Sequence, residues 1–368
     1  MKALRVGIDV HSLGSHQGGN ETYFRELIYG LASINCRHHF ILYHTHDPGD
    51  RGLVSGCRLQ RLRPAQALFR IPFTLPLHMR KDRLDIFHAQ HVLPPFLKCK
   101  TVTTIPDIAY EHFPDFFSPL QRKWMRILIP LAARKSDHII TVSEYSKRDL
   151  VQTYGVSPRK ITVTYEAAGS DFFPLNKEKV REEIARRYGI VGDFVLYLGR
   201  LQGRKNLSRL VGAYDLARRA GFHHKLVLAG KKDSGFEPVW ARIQELQLEN
   251  EVLLPGYIAA NDLAKLYNAA EVFIYPSLFE GFGLPILEAM ACGVPVITSR
   301  GSSLEEIAGD AALLVDPFSE GSIWDALKTL LGDATLRQKL SRAGIERSQQ
   351  FDFRRTAQQT MHVYESLC

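Results

Sequence analysis

Two stretches in the second half of this chain combine cations, glycines and carboxylates at spacings that suit a diphosphate and the sugars attached to it. The first is Phe194-Val195-Leu196-Tyr197-Leu198-Gly199-Arg200-Leu201-Gln202-Gly203-Arg204-Lys205-Asn206. It reads as a buried strand leaving through a glycine, which lets a backbone pass close to a ligand. Arg200 and Lys205 lie five residues apart across the turn, so both can point into one groove. A guanidinium fork and a mobile ammonium together offset the charge of a diphosphate. A helix starting near Asn206 would add backbone donors at its N-terminus. Taken alone, the stretch reads equally well as an exposed basic turn.

The second stretch is Glu280-Gly281-Phe282-Gly283-Leu284-Pro285-Ile286-Leu287-Glu288-Ala289-Met290-Ala291-Cys292-Gly293-Val294-Pro295-Val296. Proline suits a first helical turn, so a helix is predicted from Leu284-Pro285. Gly281 and Gly283 allow amides to approach a ligand at the mouth of that helix. Glu280 and Glu288 are separated by seven residues. One carboxylate can accept hydrogen bonds from sugar hydroxyls and the other from ribose hydroxyls, while the amides hold phosphate. An ordinary helix-start carboxylate explains Glu288 as well, but not the Glu280-Gly-Phe-Gly turn.

These residues need elements to carry them. Short apolar runs alternate with helix-length segments. In the first half the runs are Arg5–Asp9, Phe40–Thr45, Asp85–Ala89, Lys100–Thr104, His138–Ser143 and Ile161–Tyr165. In the second they are Phe194–Gly199, Lys225–Gly230, Glu251–Gly256, Val272–Pro276, Pro295–Thr298 and Ala312–Val315. Runs this short suit strands buried on both faces of parallel sheets, and the alternation suits βαβ units. The turn-rich stretch Gly169–Asn176 is the expected linker. The predicted domains are 1–172 and 173–350, both Rossmann-like, with a C-terminal helical segment 351–368 packing back on the first. Helices are predicted over Lys177–Tyr188 and Phe353–Leu367. Ligands of such sheets bind beyond the carboxyl ends of the strands, so two of them facing across a cleft would place both motifs in it.

Composition sets the outer bounds. The 368 residues are 45% hydrophobic, enough for two cores. The net charge is +8, and residues 1–172 hold 23 Lys+Arg against 15 Asp+Glu while the remainder holds 24 of each. A basic first half attracts anionic headgroups, phosphorylated carriers or nucleic acid, or is merely a soluble basic face. Cys36, Cys57, Cys99, Cys292 and Cys368 form no Cys-x-x-Cys pair, which fits a reducing compartment. The expectation is a cytoplasmic chain without signal peptide or membrane span, peripheral on the inner face of the plasma membrane. Segment 58–83 mixes Arg58, Arg61, Arg63, Arg70, Arg80, Lys81 and Arg83 with Leu68, Phe69, Ile71, Phe73 and Leu77, which suits contact with an anionic membrane. Pro64, Pro72 and Pro76 are expected to break any long helix there; a variable surface excursion is the equal alternative.

Gly199-Arg200…Arg204-Lys205-Asn206, followed by Glu280-x7-Glu288 around Gly281-Phe282-Gly283-Leu284-Pro285, resembles retaining glycosyltransferase family four of the GT-B fold. The similarity extends through Ala289–Ile297 and Tyr257…Leu263…Leu266-Tyr267. In the first half it includes Gly18-Gly19-Asn20-Glu21-Thr22-Tyr23, Asp85-Ile86-Phe87-His88 and Val142-Ser143-Glu144-Tyr145-Ser146. The resemblance implies that Arg200 and Lys205 bind the donor pyrophosphate and stabilise the leaving nucleoside diphosphate. It implies that Glu280 contacts the transferred sugar, that Phe282, Gly283 and Leu284 offer amides, and that Glu288 holds the ribose diol. Gly19 would approach the phosphates or the acceptor, and the backbone around Gly230 and Tyr257 would receive the base. The family commonly carries His-Asp where this chain reads Pro106-Asp107, leaving Asp107 as the candidate sugar contact or polar helper. His88, His91 and His112 lie nearby, with no spacing that singles one out.

The implied donor is a nucleotide sugar, GDP-mannose before UDP-glucose, and the acceptor a glycan or lipid-linked glycan of cell-surface polysaccharide synthesis. No organic cofactor is expected. No Asp-x-Asp occurs, so no metal-bridged diphosphate is expected either, Arg and Lys standing in for the cation. A nicotinamide-dependent oxidoreductase would carry Gly-x-Gly-x-x-Gly after Val6–Asp9 or Val195–Leu198, and neither has it. An enzyme that rearranges or cleaves sugar nucleotides would share Arg200 and Glu288 and differ in its products. Nucleic acid is not an expected partner, since no recognition motif accompanies the basic charge.

Overall fold

A computed structural model describes residues 2–15, 18–34, 37–47, 56–233 and 235–368. The chain divides into two compact units, one of residues 1–166 with 352–368, the other of residues 167–351.

The first unit is built on a seven-stranded parallel sheet of order β3-β2-β1-β4-β5-β6-β7. Its strands are β1 (Arg5–Asp9), β2 (His39–His44), β3 (Arg58–Arg61), β4 (Ile86–Gln90), β5 (Lys100–Thr104), β6 (His138–Thr141) and β7 (Ile161–Val163). In-register neighbours on parallel strands share a face. Ile41, Phe87, Thr101 and, one pleat on, Thr103, Ile139 and Ile161 therefore lie on one side. Leu75 and Met79 of the helix Leu75–Asp82 pack on this side with Ile41 and Phe87. Ile129 and Ala133 of the helix Pro119–Lys135 pack there with Ile139 and Ile161. The other side receives the helices Gly19–Ser33 and Phe353–Ser366, which pack on each other. The Tyr364 hydroxyl sits 2.6 Å from His88 Nδ1, and His88 Nε2 lies 2.6 Å from Thr104 Oγ1. Burial pushes that imidazole down to about 3, so His88 is a neutral residue of the core.

Strand β3 has no counterpart among the predicted runs. Arg58-Leu59-Gln60-Arg61 alternates weakly and lies at the sheet edge, where charged side chains blunt further pairing. The prolines of segment 58–83 do not break it as expected. Residues 67–82 are helical throughout, because Arg70–Thr74 widens to a π turn around Pro72 before the regular turns of Leu75–Asp82.

The second unit carries a six-stranded parallel sheet of order β10-β9-β8-β11-β12-β13. Its strands are β8 (Phe194–Leu198), β9 (Lys225–Ala229), β10 (Val252–Gly256), β11 (Val272–Tyr275), β12 (Val296–Ser299) and β13 (Ala312–Val315). The chain runs from β8 outward through β9 to β10, then returns to place β11 on the other side of β8. Strand order reverses between β8 and β11, the switch point beyond which ligands of open sheets bind. Both motifs leave the sheet there, one from β8 and one from β11.

Candidate active site

The loop after β8 is sewn to the loop after β11. A 3-10 turn, Gly203–Lys205, ends at Asn206, whose left-handed backbone (φ 64°) swings the chain into the helix Leu207–Arg219. Buried Asn206 donates through Nδ2 to the Pro276 and Pro317 carbonyls at 3.1 and 2.6 Å. The Leu278 amide donates to the Arg204 carbonyl at 3.0 Å. These bonds bring residues some 75 positions apart into contact.

At their junction Lys205 and Glu280 form a buried ion pair, Nζ donating to Oε1. Arg204 Nη1 lies 3.2 Å from the other oxygen, Oε2. The Ser277 hydroxyl donates to Oε1 at 2.5 Å, and Lys205 Nζ reaches the Tyr275 hydroxyl at 2.6 Å. The Tyr275 ring stacks on Tyr197 with centroids 5.5 Å apart, walling the site with aromatic surface. Burial alone would raise the Glu280 carboxyl. The charges of Arg204 and Lys205 and the bonds from Lys205 and Ser277 outweigh it and hold the group at about 2. These partners favour the ionised carboxylate of Glu280.

Arg200 stands apart from this pair. Its side chain is half-exposed and meets Asp233 Oδ2 at 3.2 Å. The two cations singled out by sequence spacing therefore differ in kind: Lys205 is buried on a carboxylate, and Arg200 is a half-exposed fork paired with Asp233. Arg204, quoted in the motif but given no role, is the second cation on Glu280. Its adjacency to Lys205 was the available signal; the carboxylate that joins them was not visible.

The helix Leu284–Ala291 begins at Gly283, whose φ of 111° favours glycine; a Cβ there would also stand 2.4 Å from a Leu304 methyl. Ser303 Oγ donates to the Glu280 and Phe282 carbonyls at 2.7 and 3.1 Å, fixing the turn. Phe282 and Leu284 are buried, Phe282 edge-on to Phe351 at 6.0 Å. The first turn of such a helix holds amides that its own carbonyls cannot satisfy. Farther along, part-buried Glu288 accepts a hydrogen bond from the Tyr267 hydroxyl at 2.7 Å. Burial pushes its carboxyl up to about 7, against the pull of that bond.

Gly230 follows β9, and Tyr257, which follows β10, is exposed. The Gly230 amide donates to the Gly256 carbonyl at 2.8 Å. A Cβ on Gly230 would stand 1.9 Å from the Gly199 carbonyl oxygen, and its φ is 138°. Gly230→Ala is expected to cost at least about 3 kcal/mol, since backbone meets backbone and neither can turn aside. A fall in the thermal midpoint of the second unit checks this.

In the first unit, Gly19 is exposed at the start of the helix Gly19–Ser33. Asp107 Oδ1 accepts from the Ala109 amide at 3.0 Å, capping a short turn after Pro106. His91, which spacing did not single out, follows β4 with φ 61°, and its amide donates to the Thr104 carbonyl at 3.0 Å. Burial drives its imidazole down to about 4, with the Asp107 charge acting the other way. Beside them Asp9, at the end of β1, pairs with buried Arg70 at 2.6 Å and His11 at 3.1 Å. The carboxyl end of this sheet therefore also gathers charge.

Comparison with known proteins adds two family models. Residues 180–347 match "Glycosyl transferases group 1" and residues 17–167 match "Glycosyltransferase Family 4". O-antigen chain mannosyltransferase B of Escherichia coli is 30% identical over 283 residues, 77% of this chain and 74% of that protein. A Campylobacter jejuni protein is 32% identical over 255 residues, 68% of this chain and 64% of its own: N-acetylgalactosamine-N,N'-diacetylbacillosaminyl-diphospho-undecaprenol 4-alpha-N-acetylgalactosaminyltransferase. Among solved structures, sucrose-phosphate synthase from Thermosynechococcus elongatus superposes with a TM-score of 0.81 at 23% identity, covering 99% of each chain.

Proposed function

Because this chain belongs to the group 1, family 4 glycosyltransferases and carries their two Rossmann-like domains of the GT-B type, we propose that it transfers mannose from GDP-mannose to a glycan or lipid-linked glycan, with retention at the anomeric carbon. The observation that carries this reading is the buried Glu280 carboxylate held by Lys205 and Arg204 at the switch point of the second sheet. The Escherichia coli relative is named for O-antigen mannosyl transfer and the Campylobacter jejuni relative for a diphospho-undecaprenol acceptor, which supports a lipid-linked acceptor reaching the first unit from the inner face of the plasma membrane.

In this reading the C1–O bond of the donor breaks with its electron pair leaving on the diphosphate. Positive charge then develops on the sugar ring and negative charge on the leaving group. Lys205, Arg204 and the half-exposed Arg200 stabilise the leaving oxygens, together with amides at the mouth of the helix Leu284–Ala291. Glu280 faces the sugar hydroxyls and the ring cation as a fixed anion. The acceptor oxygen attacks from the face the diphosphate leaves, and its proton passes to the departing phosphate oxygen, so no strong protein base is needed. Asp107 is the candidate sugar contact or polar helper, Gly19 approaches the phosphates or the acceptor, and the backbone around Gly230 and Tyr257 receives the base.

Calorimetric titration with GDP-, UDP- and ADP-sugars tests the donor, with tightest binding expected for GDP-mannose; UDP-glucose is the alternative outcome. NMR of the product is expected to show the donor's anomeric configuration, and an inverted product contradicts the mechanism. Since Arg and Lys supply the positive charge, transfer is expected to persist in EDTA; a strict demand for magnesium or manganese contradicts that.

Glu288 gives a pH signature. Its folded value, raised to about 7, favours the protonated form in the native chain. The resulting stability is present below 4.5 and is lost as pH rises from 4.5 towards 7. A ribose diol that donates two hydrogen bonds favours the ionised carboxylate over the acid, so donor binding near pH 6.5 (~0.5 below the raised value) is expected to release a proton. Calorimetry of GDP-mannose in buffers of different ionisation enthalpy measures it, and Glu288→Gln is expected to abolish it.

A further inference from the structure

We infer that Arg70, acting through Asp9, holds the His11 imidazole so that its Nε2 receives a hydroxyl of the acceptor glycan, next to the hydroxyl that attacks. The inference rests on the glycosyl transfer proposed above and adds residues for its acceptor within the first unit alone.

Topology chooses the place. The chain runs from β1 outward through β2 to β3, then returns to set β4 on the other side of β1. Strand order therefore reverses between β1 and β4, and open sheets bind ligands beyond that point. Asp9 closes β1 and His11 follows it, while His91 follows β4 and Asp107 follows β5. Arg70 comes to the same end from the helical run 67–82.

His11 is held by its backbone and by its ring. Its amide donates to Asp9 Oδ1 at 3.2 Å, its carbonyl accepts from the Thr45 hydroxyl at 3.1 Å, and its Nδ1 lies 3.1 Å from Asp9 Oδ1. Burial alone would raise the Asp9 carboxyl, but the charges and hydrogen bonds of His11 and Arg70 hold it at about 2. An ionised carboxylate only accepts, so Nδ1 carries the proton and, in the neutral ring, Nε2 keeps its lone pair. At 33% side-chain exposure the ring is open to a ligand. Arg70 is buried and donates through Nη1 to Asp9 Oδ2 at 2.6 Å, which leaves Oδ1 to His11. Its Nε is buried without a hydrogen-bond partner among the described residues. A buried ion pair with a donor unspent contributes little net stability, so orientation of the imidazole accounts for the pair better than stability does.

Charge selects the ligand. Arg70 is the one permanent cation of the group, and Asp9 cancels it. Burial drives His91 down to about 4, so it is uncharged near neutral pH, within electrostatic reach of Asp107 and His11. Part-buried Asp107 adds a carboxylate. The group offers hydrogen-bond acceptors without surplus positive charge, which suits the hydroxyls of a sugar and not a phosphate. Since Nε2 takes a neighbouring hydroxyl, the proton of the attacking one stays free to pass to the departing phosphate oxygen.

The full chain, isotope-labelled at its histidine nitrogens, is titrated by NMR with methyl α-mannoside, methyl α-glucoside, methyl β-galactoside and inorganic phosphate. His11 is expected as the Nδ1–H tautomer, and at least one glycoside is expected to move its Nε2 resonance while phosphate does not. His11→Asn keeps a donor for Asp9 and loses the atom at Nε2, whereas His11→Gln puts an amide where Nε2 stands. Glycoside affinity, read by saturation transfer, is expected to fall about five- to tenfold in His11→Asn and to stay within about threefold in His11→Gln, one hydrogen bond being at stake. A merely structural His11 gives the reverse order, because only asparagine reproduces the bond to Asp9. Arg70→Met is expected to mix the two tautomers and to weaken the glycoside equally, and Arg70→Lys to restore both; should Arg70→Met fail to fold, the His11 pair decides. No shift with any glycoside, a shift with phosphate instead, or undiminished affinity in His11→Asn overturns the inference. None of these readouts uses transfer, so the donor reading stands or falls independently.

Discussion

Glu280→Gln is expected to lower transfer by about 10²–10³-fold while GDP binds no more weakly than to the unaltered chain. The carboxylate is ionised in the folded protein, so the amide removes a full negative charge and little volume. Lys205 and Arg204 are then left facing each other without an anion. Breaking such a buried pair costs about 3–5 kcal/mol, and the hydroxyls of Ser277 and Tyr275 offset only part of it. A diphosphate can take the place of the missing carboxylate. The variant is therefore expected to melt lower than the unaltered chain and to be raised more by added GDP. Differential scanning calorimetry with and without GDP reads both effects. An equal GDP shift in the two proteins contradicts the idea that these cations meet the diphosphate.

Lys205→Met is expected to lower kcat/KM by about 10²-fold or more and to weaken GDP binding about tenfold, the reverse of the Glu280→Gln pattern in binding. Methionine keeps the apolar length of the side chain against the Tyr275 ring and removes only the ammonium. Arg204 and Ser277 still satisfy Glu280, so the stability cost stays near about 2–3 kcal/mol. Arg200→Met, which removes a half-exposed cation already paired with Asp233, is expected to be milder. Steady-state kinetics with calorimetric binding separates the three variants.

Most of the sheet architecture was legible because parallel strands buried on both faces read as short apolar runs. Strand β3 escaped because its Arg-Leu-Gln-Arg pattern belongs to an edge. The helical run 67–82 escaped because two prolines looked like breaks, and nothing local announces that a π turn will absorb one of them. At the site, residue types were readable but partnership was not. Lys205 and Glu280 meet only because β8 and β11 become neighbours when the strand order reverses, a long-range fact that spacing does not encode. For the same reason Arg200 looked equivalent to Lys205, although one is exposed and the other buried.

The most direct measurement is the electron density of crystals soaked with GDP-mannose. A diphosphate is expected beyond the carboxyl ends of β8 and β11, its oxygens within about 3.2 Å of Lys205 Nζ or the Arg204 guanidinium, with Glu280 turned to the sugar hydroxyls. Density for the nucleotide elsewhere, with the Lys205–Glu280 pair undisturbed, would contradict the account.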